Sequence, residues 1–207
     1  MDVRRLLAIC VAMFSIGLVA CGSRPSPEPA EPAAESSQTT RLTDFTDPAH
    51  NRRWRMVNDN VMGGRSLGRV GFEDGVMTFS GSINTNGGGF SSVRLRLEPG
   101  TLSDATHIRL RVRSDGRTPY RLLVIDNLPT RPRTILHRHD LPLDPDVHPG
   151  QWQTVAIDLD DLIPSFHGNP VRAEPLDRDR AVQLGFILND TGDGPFQLDV
   201  DWIEVVR

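Results

Sequence analysis

The sequence predicts an all-β domain of two packed sheets, a β-sandwich or jelly roll, and three observations predict it. From Arg41 onward, apolar and polar residues alternate with period two, the pattern of strands that bury one face. Gly, Pro, Asn, Asp and Ser interrupt the alternation at roughly the 8–12-residue spacing expected of sandwich turns. No long segment carries the helical period of about 3.6 residues.

The chain begins with a targeting pattern. Arg4 and Arg5 precede an apolar run over residues 6–20, too short and wrongly flanked for a stable membrane span. The run closes on Leu18-Val19-Ala20-Cys21, which resembles a bacterial lipobox. Residues 1–20 are therefore expected to be a lipoprotein signal peptide, with Cys21 the lipidation site. The alternative is an ordinary signal peptide followed by an incidental cysteine. The expected location is exported and lipid-anchored, in the cell membrane or the outer membrane, with acyl chains the only membrane contact. Residues 21–40 are rich in Pro, Glu, Ala and Ser and lack aromatics, so they cannot bury enough apolar surface to offset ordering entropy. They are expected to form a disordered tether, with residues 41–207 as one sandwich domain.

Composition excludes several chemistries. Cys10 and Cys21 are the only cysteines, so residues 41–207 hold no disulfide, thiol nucleophile or cysteine metal site. The net charge of −4 gives no general attraction to nucleic acid. All 23 basic residues are Arg. Without lysine there is no Walker-type phosphate loop and no lysine Schiff base.

The strands follow in order. Met77 and Phe79 alternate with Val76, Thr78 and Ser80; Val93, Leu95 and Leu97 alternate with Arg94, Arg96 and Glu98. Ile108, Leu110 and Val112 alternate with Arg109, Arg111 and Arg113. Residues 120–125 are nearly all apolar, as in a strand buried on both faces. Trp152 opens a strand carrying Val155, Ile157 and Leu159, and a short turn is expected over residues 159–163. Val182, Leu184, Phe186 and Leu188 form another strand. In the last strand Phe196, Leu198, Val200 and Trp202 share one parity, then Ile203 and Val205 switch it, which predicts a bulge.

Two corners stand apart from this alternation. Residues 54–66 combine Trp54, the Asn58-Asp59-Asn60 cluster and Gly63-Gly64, and residues 86–93 bring Gly87-Gly88-Gly89 and Phe90. Glycine permits positive φ and close backbone approach, while Asn and Asp bond their own backbone in turns, so both read as rigid, polar, non-helical corners. Their side-chain oxygens and free amides suit a sugar hydroxyl, a peptide or a calcium ion. The competing reading is that they cap turns and brace the two corners against each other.

The run Asn58-Asp59-Asn60-Val61-Met62-Gly63-Gly64-Arg65-Ser66, followed by Gly88-Gly89-Phe90-Ser91-Ser92-Val93, resembles the signature of the complex I intermediate-associated protein 30 family. Further matches are Asp115-Gly116-Arg117 with Tyr120, Trp152, and Gly194-Pro195-Phe196; the resemblance covers residues 41–206. It implies a galactose-binding-domain-like sandwich, and mitochondrial members of that family help assemble respiratory NADH:ubiquinone oxidoreductase. The positions it marks as partner- or ligand-binding are Trp54, Asn58, Asp59, Met62, Gly63, Gly64, Ser66, Gly88, Gly89, Phe90, Ser92, Asp115 and Tyr120.

Other candidates are weighed on their chemistry. If the strands of Arg94 and Arg96 and of Arg109, Arg111 and Arg113 are neighbours, they make one cationic patch able to dock an acidic partner, glycan or headgroup. The alternative is a solvated face whose arginines pair with carboxylates such as Asp199 and Asp201. His137 and His139 share a face if their segment is a strand, but a third ligand is not evident, and no metal or cofactor is expected. Trp152 and Trp202 read as core, while Trp54 or Tyr120 beside the polar corner is left open as a sugar-stacking surface. There is no Gly-x-Ser-x-Gly elbow, His-Glu-x-x-His or dinucleotide fingerprint. The sequence is thus read as a non-catalytic binding or assembly-factor module with a protein partner. The alternative is a carbohydrate-binding module of the galactose-binding-like class.

Overall fold

The computed structural model describes residues 38–129 and 134–207. The expected leader, Cys21 and nearly all of the tether lie outside the described residues. In chain order the strands are β1 (Thr39–Thr43), β2 (Trp54–Asn58), β3 (Leu67–Glu73), β4 (Val76–Ile83), β5 (Ser91–Arg96) and β6 (His107–Ser114). They continue with β7 (Tyr120–Asp126), β8 (Leu136–Asp140), β9 (Gln153–Asp158), β10 (Ile163–Phe166), β11 (Asn169–Pro170), β12 (Ala181–Leu188) and β13 (Gly194–Val206). One turn of α-helix, Pro48–Asn51, is capped by Asp47, whose Oδ1 accepts from the Ala49 amide at 2.8 Å.

Two antiparallel sheets form the sandwich. The six-stranded sheet runs β3-β4-β13-β6-β9, with β1 also on β13; the seven-stranded sheet runs β11-β10-β8-β7-β12-β5-β2. β13 is the organising strand of the first sheet. It pairs with β6 along one edge, and with β4 and then β1 along the other. Its register against β6 shifts between Val200 and Trp202, so the expected bulge is present. The shift returns Ile203 and Val205 to the core and leaves Trp202 on the outer face.

The core lies between the inner faces. Phe79, Ile108, Leu110, Val112, Leu198 and Val200 come from one sheet, and Val93, Leu95, Leu122, Leu184, Phe186 and Leu188 from the other; all are fully buried. Each such side chain contributes on the order of 1.5–3 kcal/mol by leaving water, which suits a domain without disulfides. β7 is buried on both sides as expected, because Leu123 and Ile125 join Ile187 in a separate apolar cluster on the outer face of the seven-stranded sheet.

Several expectations need correction. Residues 54–58 form a strand, and the corner after it is a single 3-10 turn, Asp59–Met62, rather than non-helical. β1 begins at Thr39, inside the stretch expected to be tether, because Thr39 and Thr40 find backbone partners in Val206 and Val205. The alternation does not reveal β3, β10 and β11, which lie at or near sheet edges, where outward residues such as Leu67, 73% exposed, hide it.

Candidate functional site

The first signature corner is built around one carboxylate. β2 ends at Asn58, the chain turns through Asp59–Met62, and Gly63 closes the turn at φ 87°. Asp59 is 0% exposed. Its Oδ1 accepts from the Ser66 amide at 2.9 Å. Its Oδ2 accepts from the Ser66 hydroxyl at 2.6 Å, the Gly89 amide at 2.6 Å and the Phe90 amide at 3.3 Å. Burial pushes this carboxyl up, but the hydrogen bonds from Ser66, Gly89 and Phe90 outweigh it and hold the group below the usual carboxylate range. The glycines of the motif follow from this geometry. A Cβ on Gly64 would stand 2.3 Å from the Asp59 Cγ, and one on Gly88 would stand 2.4 Å from Oδ2. Both backbones press on the carboxylate.

Neighbouring residues extend the brace. The Ser66 Oγ accepts from the Asn84 amide at 3.0 Å. Asn58 accepts from the Ser91 hydroxyl at 2.7 Å and reaches the Gly68 carbonyl at 3.4 Å, tying the seven-stranded sheet to β3 of the other sheet. The Asn58, Asp59 and Ser66 oxygens, expected to face a ligand, therefore face inward, while Asn60 is exposed.

The second set of matched residues makes a second brace. Asp115 Oδ1 accepts from the Tyr120 hydroxyl at 2.9 Å and the Arg117 amide at 3.0 Å, while Oδ2 accepts from the Gln197 amide at 2.9 Å. Tyr120 is 1% exposed, and burial beside Asp115 raises its pKa well above the usual phenol range. Arg117 clamps Asp190 bidentately at 2.6 and 2.7 Å, and donates to the carbonyls of Gly194 at 2.7 Å and Pro195 at 2.9 Å.

A cleft of about 400 Å³ opens on the outer face of the seven-stranded sheet. Gly88, Gly89 and Phe90 form one wall, Leu136 and Ile187 the apolar floor, and the 167–169 loop with Asn189 the opposite rim. Of the sequence-predicted residues, these three line it, and Ser92 lies beneath: its hydroxyl donates to the Val57 carbonyl at 3.0 Å and accepts from the Arg94 Nε at 3.1 Å. Asp59 reaches the cleft indirectly, because its Oδ2 holds the Gly89 and Phe90 amides from behind. Arg94, whose charge burial disfavours, also lines the cleft. Among the described residues no carboxylate pairs with it. Asp190 also lines the cleft, but both its oxygens are taken by Arg117.

The arginine rows do not form one patch. β5, with Arg94 and Arg96, and β6, with Arg109, Arg111 and Arg113, belong to different sheets. The β6 row pairs across to β13: Arg109 with Glu204 at 3.4 Å, Arg111 with Asp201 at 2.5 Å and Arg113 with Asp199 at 2.8 Å. The solvated-face reading thus describes this sheet.

The tryptophans reverse their expected places. Trp152 and Trp202 are only half-buried on that outer face, Trp152 under Arg111 and Arg113 at 5.0 and 4.6 Å, Trp202 under Arg41 and Arg109 at 4.6 and 5.9 Å. Trp54 is 3% exposed and stacks on Phe186 at 6.4 Å, so neither it nor Tyr120 offers a face to a sugar. Trp202 is turned out by the bulge, while Trp54 sits on β2 with the parity of the core.

His137 and His139 do share a strand face. His137 is buried with its Nε2 3.7 Å from Asp126, and the His139 ring lies against the Asp140 carbonyl. Among the described residues no three His, Cys, Asp or Glu side chains are grouped to hold a metal ion.

Comparison with known proteins adds the family and the fold. The model of the complex I intermediate-associated protein 30 family matches residues 43–200. A family 11 carbohydrate-binding module from Clostridium thermocellum, solved with a β-1,3-1,4-mixed-linked tetrasaccharide, superposes with a TM-score of 0.60 at 16% identity, covering 81% of this chain and 94% of that one. The family 11 module of a cellulosomal cellulase of the same organism gives 0.59 at 16% identity over 81% and 94%. An agarase gives 0.53 at 11% identity over 81% of this chain but 24% of its own. These likenesses establish a shared β-sandwich. No curated protein sequence matches the chain.

Proposed function

The chain belongs to the complex I intermediate-associated protein 30 family, and we propose that it is a non-catalytic binding module, held by lipid at a bacterial cell envelope, that takes its ligand in the cleft beside Phe90. The observation that carries this reading is a preformed cleft whose wall is fixed from behind by a buried carboxylate. A wall already ordered spares the ligand the cost of ordering it.

The lining favours a glycan. Apolar floor residues meet the C–H faces of sugar rings, and Asn169 and Asn189 at the rim meet hydroxyls. The likeness to carbohydrate-binding sandwiches agrees with that choice. Asp190 speaks against catalysis here: a glycosidase needs two carboxylates flanking the bond, and the one lining this cleft is locked to Arg117.

Family membership favours a second reading, in which the module engages a protein, as the mitochondrial assembly factors do. A lipoprotein leader would keep this chain away from the matrix-side subunits those relatives meet, so an envelope protein would be the partner. The two readings are separated by presenting the full-length protein, purified in detergent, to a glycan array and to solubilised envelope. Saturable glycan binding that competes with modification of the cleft rim supports the first. A stoichiometric protein captured with no glycan bound overturns it in favour of the second.

A further inference from the structure

The cleft holds a cation that its own surroundings leave unmatched. Arg94 sits near the middle of β5, paired with Gly185 of β12 on one side and Arg55 of β2 on the other. Gly185 has no side chain to cover the guanidinium. A Cβ there would lie 2.0 Å from the Val93 carbonyl oxygen, so the close strand pairing keeps that position bare. The one hydrogen bond the Arg94 side chain makes is from Nε to the Ser92 hydroxyl at 3.1 Å, and both Nη groups are left without a partner among the described residues.

The other charged groups nearby already have partners of their own, and Arg55, opposite Arg94 on β2, donates to the Arg52 and Trp54 carbonyls. Asp190 is clamped by Arg117, Arg121 pairs with Asp140 at 2.6 Å and also donates to Asn189, and Arg138 donates to the Gly168 carbonyl at 2.7 Å. A partly buried, unpaired guanidinium is a costly arrangement unless an anion completes it. Its two free Nη groups present the fork that binds a carboxylate bidentately.

We propose that the cleft binds a carboxylate-bearing saccharide, a uronate unit of an acidic glycan, with the carboxylate on Arg94 and the sugar ring against Phe90, Leu136 and Ile187. This rests on the reading of the cleft as a glycan site and names the class of glycan. A peptide carboxylate is the rival source. The strands under the cleft, β5, β12, β7 and β8, each have neighbours on both sides, so no open edge is available for the strand addition by which extended peptides usually bind.

The test is titration calorimetry of the full-length protein in detergent with oligogalacturonide, oligoglucuronide, neutral gluco-oligosaccharides and a peptide ending in a free carboxylate. It is run for wild type, Arg94→Gln and, as a control on the opposite sheet, Arg113→Gln. The expected result is that an acidic oligosaccharide binds more tightly than its neutral counterpart. Arg94→Gln should weaken it about ten- to a hundredfold, the value of a bidentate charged contact, while Arg113→Gln leaves it unchanged. Binding should also weaken with added salt. Neutral sugars binding as well as acidic ones, with Arg94→Gln indifferent, overturns the inference and leaves the glycan reading standing. No saccharide of either kind binding overturns both. Binding of the peptide through Arg94, in preference to any saccharide, overturns the sugar assignment. Circular dichroism and the thermal midpoint of each variant establish that it is folded.

Discussion

Replacing Asp59 by Asn should destabilise the domain far more than an isosteric change on its surface would. The substitution keeps the volume but removes the charge. If the amide oxygen keeps the place of Oδ2, the new NH2 stands against the Ser66 amide that Oδ1 now receives, donor facing donor. Hydrogen bonds to a charged group are worth roughly 1.5–3 kcal/mol, and a buried donor left unpaired costs about 1–3 kcal/mol. The losses are coupled, so their sum overstates the effect, and an overall loss of about 2–4 kcal/mol is expected. That is a large part of the roughly 5–15 kcal/mol that holds an ordinary domain folded. The assay is urea unfolding of wild type and Asp59→Asn between pH 3 and pH 8. Because the folded carboxyl lies below its ordinary value of 3.8, its ionised form stabilises the fold fully above that pH, and the benefit fades as pH falls through the folded pKa. The gap between the two proteins should therefore be constant near neutrality and narrow below about pH 4. A variant with an unchanged midpoint, or a gap that does not narrow in acid, would refute the brace.

Further expectations follow from the same geometry. Gly64→Ala should cost more than Gly63→Ala: the first drives a methyl to 2.3 Å from the Asp59 Cγ, whereas the second meets open space and strains only the positive φ of 87°. By thermal melting the first should cost about 1–3 kcal/mol or more and the second about 1–2 kcal/mol, and equal losses would contradict the packing. Of the three tryptophans, Trp54 should emit blue and resist iodide, while Trp152→Phe and Trp202→Phe should each remove a quenchable component; a strongly quenched Trp152→Phe/Trp202→Phe double variant would contradict the burial of Trp54. For the proposed anchor, metabolic labelling with a fatty acid should mark the wild type and leave Cys21→Ser unlabelled and released from membranes. Equal labelling of both would remove lipid anchoring from the proposal.

What could be read from the sequence was what period two encodes. Core strands such as β6 and β12 declare an inner face through Ile108, Leu110 and Val112 or Leu184, Phe186 and Leu188. Even the β13 bulge was legible, because it reverses parity between Val200 and Ile203. The assignment of strands to sheets was not. Arg94 and Arg111 look alike in sequence, yet one lines the cleft and the other pairs with Asp201, since topology places β5 and β6 in opposite layers. The cleft itself was half visible: Gly88, Gly89 and Phe90 were marked, whereas Ile187, Asn189 and the 167–169 loop carry no local signal. They meet only when β12 pairs with β5 and the β10–β11 turn comes to the opposite rim of the cleft.

The inward aim of the signature residues changes what the family motif says. A motif of Asn, Asp, Ser and glycines invites the inference that its oxygens meet a ligand, but here the most polar of them is the most buried. Asp59 accepts from both strand-linking segments, and Gly64 and Gly88 are glycine because only bare backbone can approach the carboxylate that closely. The corner therefore fixes where Phe90 stands, and Phe90 bounds the cleft, so on the proposed reading Asp59, Ser66 and Gly64 shape binding from behind while Phe90 alone of these meets the ligand. On the proposed reading, ligand choice falls to residues outside the polar corner, Arg94 foremost, and the two roles can be separated experimentally. Asp59→Asn should lower stability, and should weaken every ligand of the cleft together by loosening its wall. Arg94→Gln, which removes a partly buried unpaired charge, should leave the free protein as stable or more stable and act on acidic ligands alone. If Asp59→Asn instead discriminated between acidic and neutral ligands while the fold stayed intact, Asp59 would have to be reassigned from scaffold to ligand contact.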